Sequence, residues 1–241
     1  MKYRLEIMRQ KDSTSEPYLQ CIDYETDDCN TAVSTALSQI NNNGNYKDIN
    51  GNIVSHISWE CSCLQKKCGA CAMVINSKPR LACDTKLSEC NINGVVKIEP
   101  LKKFPVVSDL TVDRSIMFEN LKAINAWLSS EYRSDDKTNN TAYISSRCLQ
   151  CGCCLEVCPN FYAGSEFFGT SVLAPMSRVI TLSENEDLKA ASKLYKKNYY
   201  SGCGKSLACK DVCPAKIDVD DLLVNSNAAA VWRIGFGKKK R

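Results

Sequence analysis

The sequence predicts an α+β fold with two domains, at residues 1–104 and 105–241. Alternating apolar and polar residues, which are typical of half-buried strands, are concentrated in the first domain. After Pro105 the strand patterns fade and apolar residues recur at helical spacing, so the second domain is predicted to be mostly helical. A chain of 241 residues is long enough to form a separate core in each domain.

The first domain is predicted to wrap strands around one helix. The strand patterns lie at residues 3–8, 18–24, 72–76 and 95–98. The helix follows the second strand and shows apolar residues at helical spacing, namely Val33, Ala36, Leu37 and Ile40. Asn30 or Thr31 is expected to cap this helix, because side chains of these types accept hydrogen bonds from the first backbone N–H groups.

In the second domain, Asp113 is expected to cap a helix with a single apolar stripe. The stripe, which is predicted to pack in a core, consists of Met117, Leu121, Ile124 and Leu128. The polar residues 129–141 are predicted to form a surface loop. A later helix is predicted near residues 185–197, and its inward face consists of Leu188, Ala191 and Tyr195.

Sixteen cysteines are far more than ordinary usage. Such a number forms disulfides in exported proteins, but the start MKYRLEIMRQ has no apolar core of a signal peptide. The chain is therefore expected in a reducing cytoplasm, where thiols are available to bind metal. No apolar run approaches the roughly 18 residues of a membrane span, so the chain is expected to be soluble or peripheral to a membrane.

A first cysteine motif has the spacing C-x4-C-x2-C with a fourth cysteine downstream, which is typical of plant-type 2Fe–2S ferredoxins. It predicts a 2Fe–2S cluster with the ligands Cys63, Cys68, Cys71 and Cys83. The small residues Gly69, Ala70 and Ala72 suit a tight loop whose backbone N–H groups point at sulfur. Together with the predicted strands and helix, this motif indicates an α+β ferredoxin domain.

A second motif, RCLQCGCCLEVCP, has the spacing C-x2-C-x2-C-x3-C-P of bacterial-type ferredoxins, in which the fourth cysteine binds a different cluster. The later stretch CGKSLACKDVCP supplies the partner run, with Ser206 where a second cysteine is expected. Exchanging the fourth ligands predicts a 4Fe–4S set of Cys148, Cys151, Cys154 and Cys213. The remaining set has three thiolates, which suits a 3Fe–4S cluster on Cys158, Cys203 and Cys209. A fourth iron held by the Ser206 oxygen stays an open alternative.

The eleven cysteines of these sets bind metal only through cluster iron, and five others are left without a predicted role. These five are expected to behave as small hydrophobic residues: Cys21, Cys29, Cys61, Cys90 and Cys153. The single histidine, His56, is expected at the surface. A zinc-stabilised module that binds nucleic acid through the basic residues Lys238, Lys239, Lys240 and Arg241 is a distant alternative. The same tail also suits solvent or an anionic membrane surface.

The chain resembles the iron–sulfur subunit of the succinate dehydrogenase and fumarate reductase family over almost its full length. The three cysteine motifs match in order, and PLKKFPVVSDLTVDRSIMFENLKAINAWL is similar to the segment that joins the two domains in that family. The resemblance implies an N-terminal plant-type 2Fe–2S ferredoxin (β-grasp) domain. A mostly helical bacterial-ferredoxin-like domain with two clusters, 4Fe–4S and 3Fe–4S, is implied to follow.

The resemblance also implies partners. Electrons would pass between the FAD of a flavoprotein subunit and quinone at membrane anchor subunits, with haem on a partner left open. The chain would lie on the cytoplasmic side of the cell membrane as a peripheral protein, held through an anchor subunit, and nucleic acid is not an expected partner. Substrate chemistry is expected on another subunit, and no catalytic residue is predicted here, because the sequence has no glycine-rich dinucleotide loop and no spare histidine.

Two positions depart from the family pattern. A tryptophan and a histidine that help form the quinone pocket in the family are replaced here by Ala163 and Gly204. A menaquinone-linked enzyme therefore stays open, as does a different electron partner. The alternative function is the iron–sulfur subunit of a soluble thiol-linked fumarate reductase or of another flavin-dependent reductase.

Overall fold

The computed structural model describes residues 1–128 and 139–232. The chain folds into two compact units. The first comprises Met1–Arg114 together with Cys151–Glu156, and the second comprises Ser115–Gln150 and the chain from Val157 onward. These units have other bounds than the predicted domains 1–104 and 105–241, and the domain boundary stays a prediction.

A five-stranded mixed sheet forms the framework of the first unit. Its strands are β1 (Lys2–Arg9), β2 (Tyr18–Glu25), β3 (Ala72–Ile75), β4 (Lys78–Leu81) and β5 (Val95–Glu99). The order is β2-β1-β5-β3-β4, with β1 and β5 parallel and the other neighbours antiparallel. The four predicted strands are present within one or two residues of their expected bounds.

Strand β4 was not predicted, because its sequence KPRL is only four residues long and contains Pro79, a residue that argues against a strand. It is positioned by the two-residue turn Asn76–Ser77, in which both residues have positive φ, 46° and 63°. Such a turn matches the twist of antiparallel strands and joins β3 directly to β4. The hairpin ends next to a 3₁₀ turn, Ala82–Asp84, which carries Cys83.

Helix α1 (Val33–Asn42) supplies the helical part of the core of this unit. Its residues Val33, Ala36, Leu37 and Ile40 are buried, as predicted from their spacing. Ala32 occupies the N-cap position without a side-chain cap, so the predicted cap at Asn30 or Thr31 is wrong. The Thr31 hydroxyl is engaged elsewhere, because it bonds the Thr26 hydroxyl and the Asp28 carbonyl, both at 2.8 Å.

A buried ion pair joins β1 to the turn between β6 (Val106–Ser108) and β7 (Thr111–Val112). Arg9 Nε and Nη2 donate to the two carboxylate oxygens of Asp109 at 3.0 and 3.2 Å, and both residues are at least 95% buried. Asp109 also accepts from the backbone N–H groups of Gln10 and Ser58, at 3.0 and 2.8 Å. These bonds fix the segment that leads into the first cysteine motif.

The second unit is helical. Its helices of eight residues or more are α2 (Ser115–Ala123), α3 (Asn139–Ser146), α4 (Leu173–Leu182), α5 (Asn185–Tyr195) and α6 (Val219–Asn227). Helix α4 is the centre of the packing and contacts α3, α5 and α6. Two buried polar contacts reinforce this arrangement: the hydroxyls of Ser177 and Ser226 lie 2.7 Å apart, and Tyr195 Oη donates to Asn227 Oδ1 at 2.8 Å.

The helix predictions for this unit are partly confirmed. Helix α5 lies where a helix was predicted, with Ala191 and Tyr195 buried, and the chain continues into a π-helical segment, Lys196–Tyr200. Helix α2 ends at Ala123, so the expected stripe is cut short, although its member Met117 is buried. Of the predicted loop 129–141, residues 129–138 lie outside the described residues.

Residues 139–141 correct that loop prediction, because they form the first turn of α3. Helix α4 was not predicted from the sequence. It contains Pro175, which usually breaks a helix but is tolerated here because it lies in the first turn.

Breaking the Arg9–Asp109 pair tests whether it holds the first unit together. Arg9→Met should lower the free energy of unfolding by about 3–5 kcal/mol, because it leaves the Asp109 charge buried without its partner. The measurement is urea denaturation of the full chain, followed by circular dichroism. The control is Glu25→Gln, which removes an exposed ion pair with Lys2 and should cost less than about 1 kcal/mol. Equal losses of stability in the two variants would contradict the conclusion that the buried Arg9–Asp109 pair stabilises the first unit.

Candidate iron–sulfur sites

The four cysteines of the first motif come together in the first unit. Cys63, Cys68 and Cys71 lie on the loop that leads into β3, and Cys83 lies on the turn after β4. The Cys63 and Cys68 side chains are hydrogen-bonded to each other, and so are those of Cys71 and Cys83. The β3–β4 hairpin explains the second pair, because Ala82 N–H donates to the Cys71 carbonyl at 3.0 Å. Two contacting pairs of thiols result.

Backbone N–H groups surround these sulfurs. Cys63 Sγ accepts from the N–H groups of Gln65 and Lys67, both at 3.3 Å. Cys83 Sγ accepts from Lys66 at 3.3 Å, and Cys68 Sγ accepts from Ala70 at 3.5 Å. The bonds from Gln65 and Lys67, with a contribution from the Cys68 side chain, stabilise the Cys63 thiolate and lower the pKa of Cys63 to about 7.

The loop can point its N–H groups inward because it is tightly curled. Leu64, Lys66 and Gly69 have φ values of 51°, 59° and 75°, which are in the left-handed region. Gly69 adopts this conformation at little cost, as expected for a tight loop, whereas Leu64 and Lys66 are held there by the surrounding contacts. Cys71, the last cysteine of this loop, is buried, and burial is the main cause that raises its pKa to about 12.

Arg114 contacts two cysteine motifs and was not identified from the sequence. Its Nη1 donates to the carbonyl oxygens of Gly69 and Cys151 at 3.2 and 3.1 Å, and its Nη2 donates to the Ala70 carbonyl at 3.0 Å and to the Glu60 carboxylate. Burial lowers the pKa of Arg114, and the nearby Cys151 thiol opposes that shift. A single arginine in a loop has no pattern that could have revealed this role.

The predicted 4Fe–4S ligands are divided between the two units. Cys151 and Cys154 belong to the first unit, and Cys148 and Cys213 belong to the second. Within the second unit, Gln150 Nε2 donates to Cys148 Sγ at 3.2 Å and to the Ser171 carbonyl at 3.0 Å. This side-chain donor supplies at Cys148 what backbone N–H groups supply in the first motif.

The cysteines without a predicted role differ in their surroundings. Cys90 and Cys153 are buried, Cys21 is half-buried, and Cys29 and Cys61 are exposed, so the expected hydrophobic role does not fit the last two. Cys153 also lies beside a predicted 4Fe–4S ligand, which was not expected. Its side chain hydrogen-bonds Cys151 and lowers the pKa of that thiol to about 7. None of the sixteen cysteines, all of which lie in the described residues, forms a disulfide.

The three predicted 3Fe–4S ligands all belong to the second unit. Burial raises the pKa of Cys209, and the neighbouring thiols of Cys158 and Cys203 raise it further, whereas a hydrogen bond from the Thr170 side chain opposes the rise. Ser206, at the position of the missing fourth cysteine, is exposed. Cys158 and Cys203 are therefore near enough to Cys209 to affect its ionisation, and the serine is at the surface.

Two buried tyrosines lie next to this set. Tyr195 and Tyr199 are each only 1% exposed, and their ring centroids are 5.3 Å apart. The Tyr199 hydroxyl oxygen lies 3.7 Å from Cys203 Sγ. Burial raises the pKa of both phenols, and the neighbouring Cys203 adds to the rise. Both hydroxyls therefore keep their protons at neutral pH.

Ala163 and Gly204, which replace the family's quinone-pocket residues, are both exposed. A Cβ atom at Gly204 would lie 3.1 Å from Asn160 Nδ2, which itself donates to the Gly202 carbonyl at 2.7 Å. A histidine at position 204 would therefore require Asn160 to shift. His56 is exposed, as expected.

Within residues 1–128 and 139–232, no three Cys, His, Asp or Glu side chains converge on the position of a single metal ion. An iron–sulfur cluster distributes its thiolates over several irons, so its ligands are more widely spaced than those of one ion. In the described part of the chain, no helix has the length and apolar character needed to cross a membrane.

Comparison with known proteins decides the family. Residues 4–119 match a 2Fe-2S iron-sulfur cluster binding domain, and residues 144–217 match a 4Fe-4S dicluster domain. The chain is 35% identical over 232 residues to the succinate dehydrogenase iron-sulfur subunit of Bacillus subtilis (strain 168), with 89% of this chain and 87% of that protein covered. The chain belongs to the succinate dehydrogenase and fumarate reductase iron–sulfur subunits. The predicted family is therefore confirmed.

Other members of this iron–sulfur subunit family are similar too. The fumarate reductase iron-sulfur subunit of Haemophilus influenzae is 31% identical over 182 residues, covering 67% of this chain and 70% of that protein. A solved structure, the Mycobacterium smegmatis Sdh1 complex in the apo form, contains a chain with a TM-score of 0.76 and 21% identity, and 98% of each chain is covered. That likeness confirms the predicted fold class. As a family member, this chain is an electron-transfer subunit with 2Fe–2S, 4Fe–4S and 3Fe–4S clusters, whose FAD is on a partner.

Replacing one thiol of the first motif tests the separation of the ligand sets. Cys68→Ser should remove or strongly perturb the 2Fe–2S signal in electron paramagnetic resonance and spare the signals of the other two clusters, because their predicted ligands are other residues. Cys61→Ser is the matched control, since Cys61 is exposed and has no predicted ligand role. It should leave all three signals unchanged. Loss of all three signals in Cys68→Ser would contradict separate ligand sets.

Proposed function

We propose that this chain relays electrons between the FAD of a flavoprotein subunit and quinone at a membrane anchor, in a succinate dehydrogenase or fumarate reductase complex. The observation that carries the proposal is the pairing of four thiols, three on one loop and one on the turn after β4, with N–H groups directed at sulfur. The two parts of the chain also match cluster-binding domains. No residue of this chain is assigned to substrate chemistry.

The first cluster site is assigned to Cys63, Cys68, Cys71 and Cys83. The two contacting pairs of thiols support this assignment, because a 2Fe–2S cluster needs two thiolates for each of its irons. The chain supplies N–H donors to three of the four sulfurs, and each donor favours the charged form of its acceptor.

The second and third sites use exchanged ligands. We assign the 4Fe–4S cluster to Cys148, Cys151, Cys154 and Cys213, and the 3Fe–4S cluster to Cys158, Cys203 and Cys209. The proximity of Cys158 and Cys203 to Cys209 supports the exchange, because Cys158 belongs to the earlier motif in sequence. When bound, the clusters accept and release single electrons. The protein orients the thiolates, limits their solvation and places hydrogen-bond donors on them.

The chain is proposed to act on the cytoplasmic side of the cell membrane, as a peripheral subunit held by an anchor. Its relatives and the described helices, none of which could span a membrane, agree with a peripheral position. The basic residues Lys238–Arg241, proposed as a contact with anionic lipid or an acidic partner, lie outside the described residues. Ala163 and Gly204, which replace the tryptophan and histidine of the family's quinone pocket, are exposed, so menaquinone and ubiquinone are both tested below.

The function is tested by anaerobic purification of the chain with its native partners. The complex should contain FAD and oxidise succinate or reduce fumarate with menaquinone or ubiquinone analogues as the second substrate. Activity with a thiol and no membrane subunit would favour the soluble thiol-linked enzyme. A different flavin-dependent reductase is favoured if neither acid reacts. A colourless chain with roughly three zinc ions would support the zinc-binding module instead.

Ser206 tests the assignment of the three-iron site. Ser206→Cys should complete four thiolates and convert the 3Fe–4S cluster to 4Fe–4S, so that the oxidised complex loses the paramagnetic signal of a three-iron centre. Ser206→Ala is the control and should keep that signal, because the exposed serine is not proposed as a ligand. Iron content matching two four-iron clusters and one 2Fe–2S cluster in the wild type would show that Ser206 or water already completes the site.

A further inference from the structure

The Tyr199 side chain is fixed beside a proposed cluster ligand. Tyr199 lies in the π-helical segment Lys196–Tyr200, and its carbonyl accepts the Cys203 N–H at 3.1 Å. Its ring centroid is 5.9 Å from that of Phe167 and 5.3 Å from that of Tyr195, so the ring is held from two sides. Its hydroxyl oxygen is 3.7 Å from Cys203 Sγ. Backbone and side chain of Tyr199 therefore both contact Cys203.

The direction of this hydrogen bond follows from the state of the sulfur. A free Cys203 thiol can donate its proton to the Tyr199 oxygen, which is the bond observed. A sulfur bound to iron has no proton, so it can only accept. Among the described residues, the Cys203 sulfur is the hydrogen-bond partner observed for the Tyr199 hydroxyl. Tyr199 is only 1% exposed. A buried hydroxyl donates where an acceptor is available, so Tyr199 O–H turns to the thiolate.

We propose that Tyr199 is a positioning residue that donates a hydrogen bond to the Cys203 thiolate and raises the reduction potential of the three-iron cluster. The inference rests on the proposed assignment of Cys158, Cys203 and Cys209 to that cluster. Reduction adds one electron to the cluster, and much of the added negative charge is felt at sulfur. A donor on sulfur stabilises the reduced form more than the oxidised form, and the tyrosine keeps its proton throughout.

Tyr195 provides a matched control in the same core. It precedes Tyr199 by one helical turn and is equally buried, but its hydroxyl donates to Asn227 Oδ1 at 2.8 Å and not to sulfur. Tyr195→Phe and Tyr199→Phe remove the same atom from the same kind of environment. A difference between the two variants therefore reports the bond to Cys203 and not the general cost of removing a buried hydroxyl.

The test is a redox titration of the intact complex, with the three-iron signal followed by electron paramagnetic resonance. Tyr199→Phe should keep the signal and shift its midpoint potential to lower values, with the other two clusters unchanged. Tyr195→Phe should titrate like the wild type. The proposal is overturned if Tyr199→Phe also titrates like the wild type, or if both variants shift equally.

A second substitution covers the case in which Tyr199→Phe fails to assemble. Incorporation of 3-fluorotyrosine at position 199 keeps the ring and makes the hydroxyl a stronger donor, so the midpoint potential should move to higher values. An unchanged or lower potential would overturn the proposal. A wild-type complex without any three-iron signal would instead refute the cluster assignment, and the inference with it, which separates that failure from the failure of the Tyr199 hydrogen bond.

Discussion

The structure depends on balancing the negative charge that thiolates bring close together when they bind iron. In the first motif the balance comes from backbone N–H groups, which are directed at sulfur because Leu64, Lys66 and Gly69 have left-handed conformations. These donors are held by the chain and need no reorganisation when the charge changes. At Cys148 the corresponding donor is the Gln150 side chain, and at Cys203 the proposed donor is the Tyr199 hydroxyl.

Arg114 extends this balance through the backbone. The peptide between Gly69 and Ala70 accepts from Arg114 at its carbonyl and donates its N–H to Cys68 Sγ. A cation at the carbonyl end polarises the peptide and strengthens the N–H bond at the other end. The same guanidinium donates to the Cys151 carbonyl, so one positive charge lies beside residues of two cysteine motifs.

Local patterns predicted helix α1, the order of the cysteine motifs and four of the strands, namely β1, β2, β3 and β5, because alternation and ligand spacing are properties of short segments. They could not predict contacts between residues far apart in sequence. Arg9 and Asp109 are separated by 100 positions, and neither lies in a pattern that indicates a buried pair. The N-cap of α1 was missed for a different, local reason, since the Thr31 hydroxyl bonds the nearby Thr26 and Asp28. Ligand assignments rest on spacing and stay proposals.

The first unit has a consequence for the order of synthesis, because it is built from two separate stretches of chain. Strand β1 pairs with β5, and the segment Cys151–Glu156 is part of the same unit. A ribosome therefore releases the whole loop around Cys63 well before it has made the last part of the unit that contains it. Because a domain generally folds as a unit, this loop is expected to reach its final surroundings only after both stretches of the unit have been made.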